Sequence, residues 1–253
     1  MTENIKATIE SQLGNAPCPI NDNENIFWLR ELDDYQSKFA LGNSLAAQYR
    51  FKDAIAAYEN AMRIRQDDWK LLYSLGGAYL TIRQFDKAMK TYHRCIALGA
   101  GEAVVAYPLG IGCYLQRDYV SAAAWFKKCL PCEDEMAIAV IYWHTISCFR
   151  ADREAALLDS YHKNMKVGHH TAYKLAVSVF CGEISREQAL EQIHNETGDL
   201  NYVISLYGLC VYLEHIGEHT TSKRYVTELL KHSSIWPCIS YLAAWNDVNS
   251  EAV

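Results

Sequence analysis

The chain has 253 residues, of which 50% are hydrophobic, and it carries a formal net charge of −6 at pH 7. This apolar content is ample for a buried core and excludes an intrinsically disordered chain. The acidic total leaves no basic stripe of the kind that binds a phosphate backbone, so we expect no nucleic-acid partner.

The amino-terminal segment, residues 1–34, is acidic. It holds seven Asp and Glu against two Lys and Arg, whereas residues 35–136 hold ten acids against thirteen Lys and Arg. Its first part is polar and lacks the apolar core of a secretory signal. Phe27 and Trp28 lie in a short predicted helix that docks on the next one, and we expect these aromatics to cap the stack or make a self-contact. Contacts in a homo-oligomer through residues 1–34 are an alternative.

From Tyr35 to about Met136 one pattern of residue types occurs three times, once every 34 residues. The recurring positions are Leu-Gly (41–42, 75–76, 109–110), an aromatic (Phe51, Phe85, Tyr119), a small residue (Ala54, Ala88, Ala122), a second aromatic (Tyr58, Tyr92, Phe126) and a second small residue (Ala61, Cys95, Cys129). Apolar residues three or four apart on both sides of a break predict two amphipathic helices joined by a tight turn. Small residues let helices approach, and the aromatics fill the space between neighbouring pairs.

This pattern resembles the tetratricopeptide repeat, a 34-residue helix-turn-helix unit. The family's usual late Pro is absent, and Gln66, Ala100 and Asp134 stand in its place. The resemblance covers about two-fifths of the chain and implies an all-α, right-handed superhelical solenoid with a C-terminal capping helix.

Beyond Met136 the repeat pattern weakens. A fourth unit begins at Ala137 in the same phase, but only Ala156 fits its second half. Residues 172–181 and 186–193 predict another helix pair.

A better match returns near the carboxyl end. Gly208 takes the packing position, Gly217 breaks the helices and Tyr225 takes the aromatic position, before a single closing helix at 235–248. The predicted divisions are residues 1–34 (acidic capping segment), 35–136 (three repeats), 137–200 (degenerate pairs) and 201–253 (repeat-like pair and closing helix).

The resemblance implies that the first helix of each pair lines a concave groove that binds a partner. The expected groove residues are Phe39, Asn43, Tyr73, Leu80, Tyr107, Ile111, Tyr114 and Ile141. They predict a water-exposed ladder of aromatic and aliphatic side chains, where burying one Tyr or Leu stabilises a complex by ~1.5–3 kcal/mol. The alternative is that some of them pack as ordinary core.

A carboxylate clamp, which some repeats of this family form with Lys, Asn and Arg, is not predicted. Only Asn43 fits the clamp, and Phe39, Ser74, Val104 and Pro108 occupy its other places. We therefore expect the ligand to be an apolar or amphipathic segment rather than a chain terminus.

A narrower resemblance concerns the second and third repeats. The run from Tyr73 to Phe126, with Pro108 in the first helix of the third repeat, is similar to chaperones of type III secretion translocators. A cytosolic chaperone of a secreted or assembly-prone protein is thus an alternative function, although residues 137–253 have no counterpart in those proteins.

Candidate chemical motifs are weak. Cys129 and Cys132 have the spacing of a redox or metal pair, but no second pair follows, and the odd total of nine Cys favours reduced thiols in the cytoplasm. We expect no catalytic residue, metal or cofactor. The chain is predicted to be an adaptor or scaffold, not an enzyme, that binds a protein or peptide and does not insert in membranes. The alternatives are a self-assembling array and an enzyme with a site near Trp143, His144 and Cys148.

Overall fold

A computed structural model describes residues 24–129 and 135–249. Their regular structure is helical throughout. The α-helices are α1 (Glu24–Glu31), α2 (Tyr35–Ala47), α3 (Phe51–Ile64), α4 (Trp69–Thr81), α5 (Phe85–Ala97), α6 (Glu102–Leu115), α7 (Tyr119–Lys127), α8 (Ala137–Arg150), α9 (Thr171–Phe180), α10 (Arg186–His194), α11 (Asp199–His215), α12 (His219–Leu229) and α13 (Ile239–Asn249). Short 3₁₀ helices lie at Ala156–Ser160 and Ser233–Ile235. The predicted all-α fold of helix pairs is confirmed.

The chain divides into two compact units, residues 1–108 and 109–253, with the boundary inside α6. This division falls within the third predicted repeat. Across the two described ranges, none of the helices has the length and hydrophobicity of a membrane span.

The first unit repeats one local design. Asp34 and Asp68 are the N-cap residues of α2 and α4, and their carboxylates accept hydrogen bonds from the Ser37 and Lys70 amides. Such caps satisfy amide groups that have no partner within the helix. Each pair then turns through a residue with positive φ, Tyr49 at 63° and its counterpart one repeat later at 64°. Caps and turns therefore repeat with the sequence.

Glycine sets how closely the two helices of a pair approach in this unit. A Cβ on Gly42 would overlap the Tyr58 ring, and one on Gly76 would lie 2.8 Å from the Tyr92 ring. Both Tyr residues are buried. The small and aromatic residues whose spacing predicted the helix pairs are thus the residues that contact each other within each pair.

The amino-terminal helix α1 packs on α2 differently from the prediction. Ile26 is fully buried, whereas Phe27 is 56% exposed and Trp28 is 64% exposed. The expectation that these two aromatics cap the stack is therefore wrong. A helix of eight residues has one narrow buried face, and here that face holds Ile26.

The second unit is organised around a buried helix. Every residue of α8 from Ala137 to Cys148 is buried, and α7, α9 and α11 pack against it. Trp143 lies at the centre, with its ring within 6.4 Å of the rings of Tyr114, Phe126 and Tyr207. A helix that is buried on all sides needs neighbours all around it.

The weaker sequence signals of this unit have mixed outcomes. The predicted pair at 172–181 and 186–193 is present as α9 and α10, with Ser185 and Gln188 forming a capping box at the start of α10. The closing helix is present as α13. The second half of the fourth unit, however, is only the 3₁₀ helix that begins at Ala156, so α8 has no regular partner helix there.

Candidate functional site

Four predicted groove residues of the first unit remain accessible to different degrees. Tyr73 is 37% exposed, Asn43 is exposed, and Phe39 and Tyr107 are half-buried. Leu80 is buried, and the prediction that it is water-exposed is wrong. The accessible set, Phe39, Asn43, Tyr73 and Tyr107, is called the first-unit face below.

Each of two aromatics on this face rests on an aromatic of the second helix of its pair. The Phe39 ring lies 6.0 Å from the Tyr58 ring at an interplanar angle of 65°. The Tyr73 ring lies 5.8 Å from the Tyr92 ring at 69°. Edge-to-face contacts of this kind are favourable beyond the area they bury. Because Tyr58 and Tyr92 are wedged against glycines, the rings above them are held in place.

A polar group lies beside these rings. The Tyr58 hydroxyl donates a 2.9 Å hydrogen bond to Asn43 Oδ1. Burial raises the pKa of Tyr58 to about 12, so the hydroxyl keeps its proton at neutral pH. With its oxygen engaged, the exposed Asn43 side chain has its Nδ2 group left to donate a hydrogen bond to a ligand.

The groove residues predicted in the second unit are closed off. Ile111, Tyr114 and Ile141 are each at most 3% exposed, so the predicted water-exposed ladder is wrong at these positions. The cause is packing within the unit: the Tyr114 ring contacts Trp143, and its hydroxyl is 2.9 Å from that of Tyr207. These residues are core.

A polar cluster that sequence reasoning missed lies beside this core. Arg150 forms ion pairs with Glu214 and, at 2.7 Å, with Asp247, and the Tyr207 hydroxyl donates to Asp247 at 3.1 Å. Burial raises the pKa of Asp247 to about 6. The cluster is assembled from three helices, α8, α11 and α13, so no local motif in the sequence marks it.

The cluster borders a cavity of about 230 Å³. The side chains around it come from the ends of α8 and α11, from α12 and α13, and from the turn after α6. They are Arg117, Arg150, Glu214, Lys223, Val226, Thr227, Asp247 and Val248. Most of the charged side chains here are paired within the protein, which indicates that the cluster holds α13 in place.

The residues considered for catalysis are buried. Cys148 Sγ lies 3.7 Å from His144 Nε2, on the same face of α8. Burial lowers the pKa of His144 to about 4 and raises that of Cys148. Both groups are therefore neutral at pH 7, whereas a reactive cysteine needs a thiolate.

The remaining motif residues form no site. Cys129 Sγ contacts the Trp125 carbonyl, and Cys132 lies outside the described residues. Within residues 24–129 and 135–249, no group of three His, Cys, Asp or Glu could hold a metal ion.

Comparisons with known proteins identify one segment. Residues 45–106 match the tetratricopeptide repeat family model, a stretch that runs from the end of α2 into α6. No curated protein matches the chain. Among solved structures the chain is similar to YrrB, described as a TPR protein with an unusual peptide-binding site, with 12% identity and a TM-score of 0.46 over 92% of this chain and 100% of that one.

Proposed function

We propose that this chain, which is a tetratricopeptide repeat protein, is an adaptor whose first unit binds an apolar or aromatic segment of a partner protein. The observation that carries this proposal is the exposure of Tyr73 above Tyr92, repeated by Phe39 above Tyr58. Because the same supported ring recurs one repeat later, it produces a row of apolar contact points on one side of the unit.

The physical gain comes from rings that are already ordered. Covering Tyr73 with an apolar side chain would contribute ~1.5–3 kcal/mol. Because the ring rests on Tyr92 in the free protein, binding costs less side-chain entropy than ordering a mobile residue. Asn43 adds a directional contact, since its Nδ2 group can donate to a backbone carbonyl of an extended or helical segment.

Binding is assigned to the first unit because the equivalent residues of the second unit are core. Ile141 occupies the same repeat position as Tyr73, yet it is almost completely buried. A partner could reach Ile141 only by displacing the chain's own helices. The ligand therefore contacts the first-unit face, and α8 contributes stability instead of contact area.

The test begins with a displayed library of short random peptides, selected on the immobilised full-length chain. Selected peptides are then titrated by fluorescence anisotropy against wild type, Tyr73→Ala and Phe39→Ala. We expect aromatic or aliphatic residues to be enriched among them, and each substitution to weaken binding by about 10- to 100-fold.

The matched control is Ile64→Ala, which removes an apolar side chain that is 52% exposed and lies on α3, outside the first-unit face. It should leave binding unchanged. Circular dichroism establishes that all variants keep wild-type helicity. Peptides that bind Tyr73→Ala and Phe39→Ala as tightly as wild type would show that the first-unit face is not the binding surface.

A further inference from the structure

A second surface of the first unit is lined by cations. Lys87, Lys90 and Arg94 lie three and four residues apart, on one side of α5, and they border a groove of about 250 Å³. The groove has an apolar floor and partly apolar walls, made by Met62, Leu72, Leu75, Tyr79 and Thr91. This surface is called the basic groove below, and it does not include any residue of the first-unit face.

The cations of the basic groove contact groups other than carboxylates. Lys87 Nζ lies 5.3 Å from the centre of the Tyr79 ring, and Arg94 donates to the Gln66 carbonyl at 2.9 Å. No carboxylate in the described part of the chain forms an ion pair with Lys87, Lys90 or Arg94. The groove therefore fits an acidic segment that also carries a large apolar side chain.

The same chain presents such a segment on α1. Phe27 and Trp28 are more than half exposed and contact each other edge to face at 5.6 Å, and Leu32, just after the helix, is 49% exposed. Residues 24–34 contain four acids and one Arg. Of these acids, Glu31 and Asp33 are exposed, and Asp33 remains 95% exposed although it lies 3.5 Å from Lys38 Nζ. Phe27, Trp28, Glu31, Leu32 and Asp33 are called the acidic aromatic face.

We propose that the acidic aromatic face of one copy of this chain docks in the basic groove of a second copy. Three features of the two surfaces correspond. An aromatic ring can enter a groove with an apolar floor, the cations at its edge can lie over that ring, and the acids beside the ring can pair with those cations. Large exposed aromatics with a charged border are typical of an interaction surface. Because α1 packs on its own α2 with Ile26 buried, its exposed side chains are left for another molecule.

This contact is heterologous, because it joins two different surfaces. Each dimer leaves one acidic aromatic face and one basic groove unused, so association continues to larger species unless a ring closes. The expected signature is a weight-average mass that rises with protein concentration. The contact also weakens as salt screens its charges.

Sedimentation equilibrium of the full-length chain tests the proposal with two complementary variants. Phe27→Ser/Trp28→Ser removes the aromatic face and keeps the basic groove. Lys87→Glu/Lys90→Glu removes the groove charges and keeps α1. All four residues are exposed, so both variants should retain wild-type circular dichroism. We expect each variant alone to associate at least about tenfold more weakly than wild type.

Mixing the two variants distinguishes this contact from any other. Each retains one half of the contact, so an equimolar mixture should form dimers and nothing larger. The matched control, Lys163→Glu/Lys166→Glu, makes the same charge change at exposed residues of the second unit and should associate like wild type.

Three results would overturn the proposal. They are a wild-type chain that stays monomeric at every concentration, a groove variant that associates as wild type does, and a mixture that stays monomeric. Binding of a peptide to the first-unit face is measured separately, so failure of one proposal leaves the other to be judged by its own result.

Discussion

The two units use the same helix positions for opposite purposes. In the first unit, the aromatic at the fifth position of a repeat, Tyr73, stands partly exposed on a supporting ring. In the second unit, the same position holds Ile141, which is sealed in the core. A repeat position therefore does not have a fixed role. Whether it is surface or core depends on which helices pack over it.

The difference follows from what surrounds the first helix of each pair. In the first unit, the chain stacks pair on pair, as α3 packs on α4. In the second unit, α8 is covered by α7, α9 and α11, and a polar cluster joins its end to α13. Regular stacking leaves one side of the first helix of each pair open. In the second unit, by contrast, helices pack on several sides of α8 and leave no side open.

The largest expected effect breaks the polar cluster of the second unit. Arg150→Met removes the cation that the partly buried Glu214 and Asp247 share, and Asp247 then keeps the longer ion pair with Arg117 at 4.0 Å. The substitution should lower the free energy of unfolding by about 3–5 kcal/mol. Guanidinium titration followed by circular dichroism measures the change. In the first unit, the half-exposed pair of Arg65 and Asp68 is the control, and Arg65→Met should cost at most about 1 kcal/mol. Similar losses for both would contradict the assigned difference between the units.

The next effect compares one repeat position in the two units. Ile141→Ala removes buried methyl groups and should destabilise the protein by about 2–5 kcal/mol. Tyr73→Ala should cost about 1 kcal/mol or less, since part of its ring is already in water and its loss leaves no closed cavity. The same denaturant titration applies. A greater loss at Tyr73 than at Ile141 would reverse the comparison.

A pH titration sharpens the contrast through Asp247, whose pKa in the folded state is about 6 against an ordinary value of 3.8. The protonated form is favoured in the fold, so this stabilisation is complete below pH 4 and is lost as pH rises through 6. Relative to Asp247→Asn, wild type should therefore lose about 2 kcal/mol between pH 4 and 7.

Because the titration compares wild type with Asp247→Asn, the effect of any other group that titrates equally in both cancels in the difference. His144, whose pKa is lowered to about 4, makes wild type less stable as pH falls below 6.5, but it does so equally in Asp247→Asn. A difference in unfolding free energy that is constant from pH 4 to 7 would show that Asp247 titrates normally.

The smallest effect uses two adjacent glycines of α4. Gly76→Ala places a methyl group against the Tyr92 ring and should cost about 1–3 kcal/mol. Gly77→Ala meets only Tyr92 Oη at 3.7 Å and should stabilise the helix by about 0.5–1 kcal/mol. Thermal unfolding compares the two, and a change of the same sign in both would show that helix approach does not depend on Gly76.

The first unit was largely predictable because its interactions are local and periodic. Gly76 contacts Tyr92 of the next helix along the chain, and the same separation in sequence links Gly42 to Tyr58 and, at the start of the second unit, Gly110 to Phe126. Because this contact occurs once in each of three repeats, the same residue types recur in the sequence at intervals of one repeat length. The turn residues with positive φ were not predicted by type, since Tyr49 and Arg83 carry side chains where glycine is favoured, but their spacing of one repeat marks them.

The polar cluster and the burial of Leu80, Ile111, Tyr114 and Ile141 could not be predicted from the same columns. Arg150 and Asp247 are 97 residues apart and meet once, so no repetition marks their contact. A Tyr at a groove position fits the repeat pattern equally well whether water or Trp143 lies beside it. The exposure of Phe27 and Trp28 was missed for a similar reason, since hydrophobic character alone does not say which side of a short helix is covered.

The sequence by itself determined the helices, their pairing and the resemblance to the tetratricopeptide repeat, because these depend on contacts that recur within one repeat length along the chain. Only the tertiary structure decided which repeat positions remain surface, where the buried charges are paired and which face of α1 is exposed. Those outcomes depend on single contacts between distant segments, and the free energy of burying a side chain is set by the neighbours that cover it.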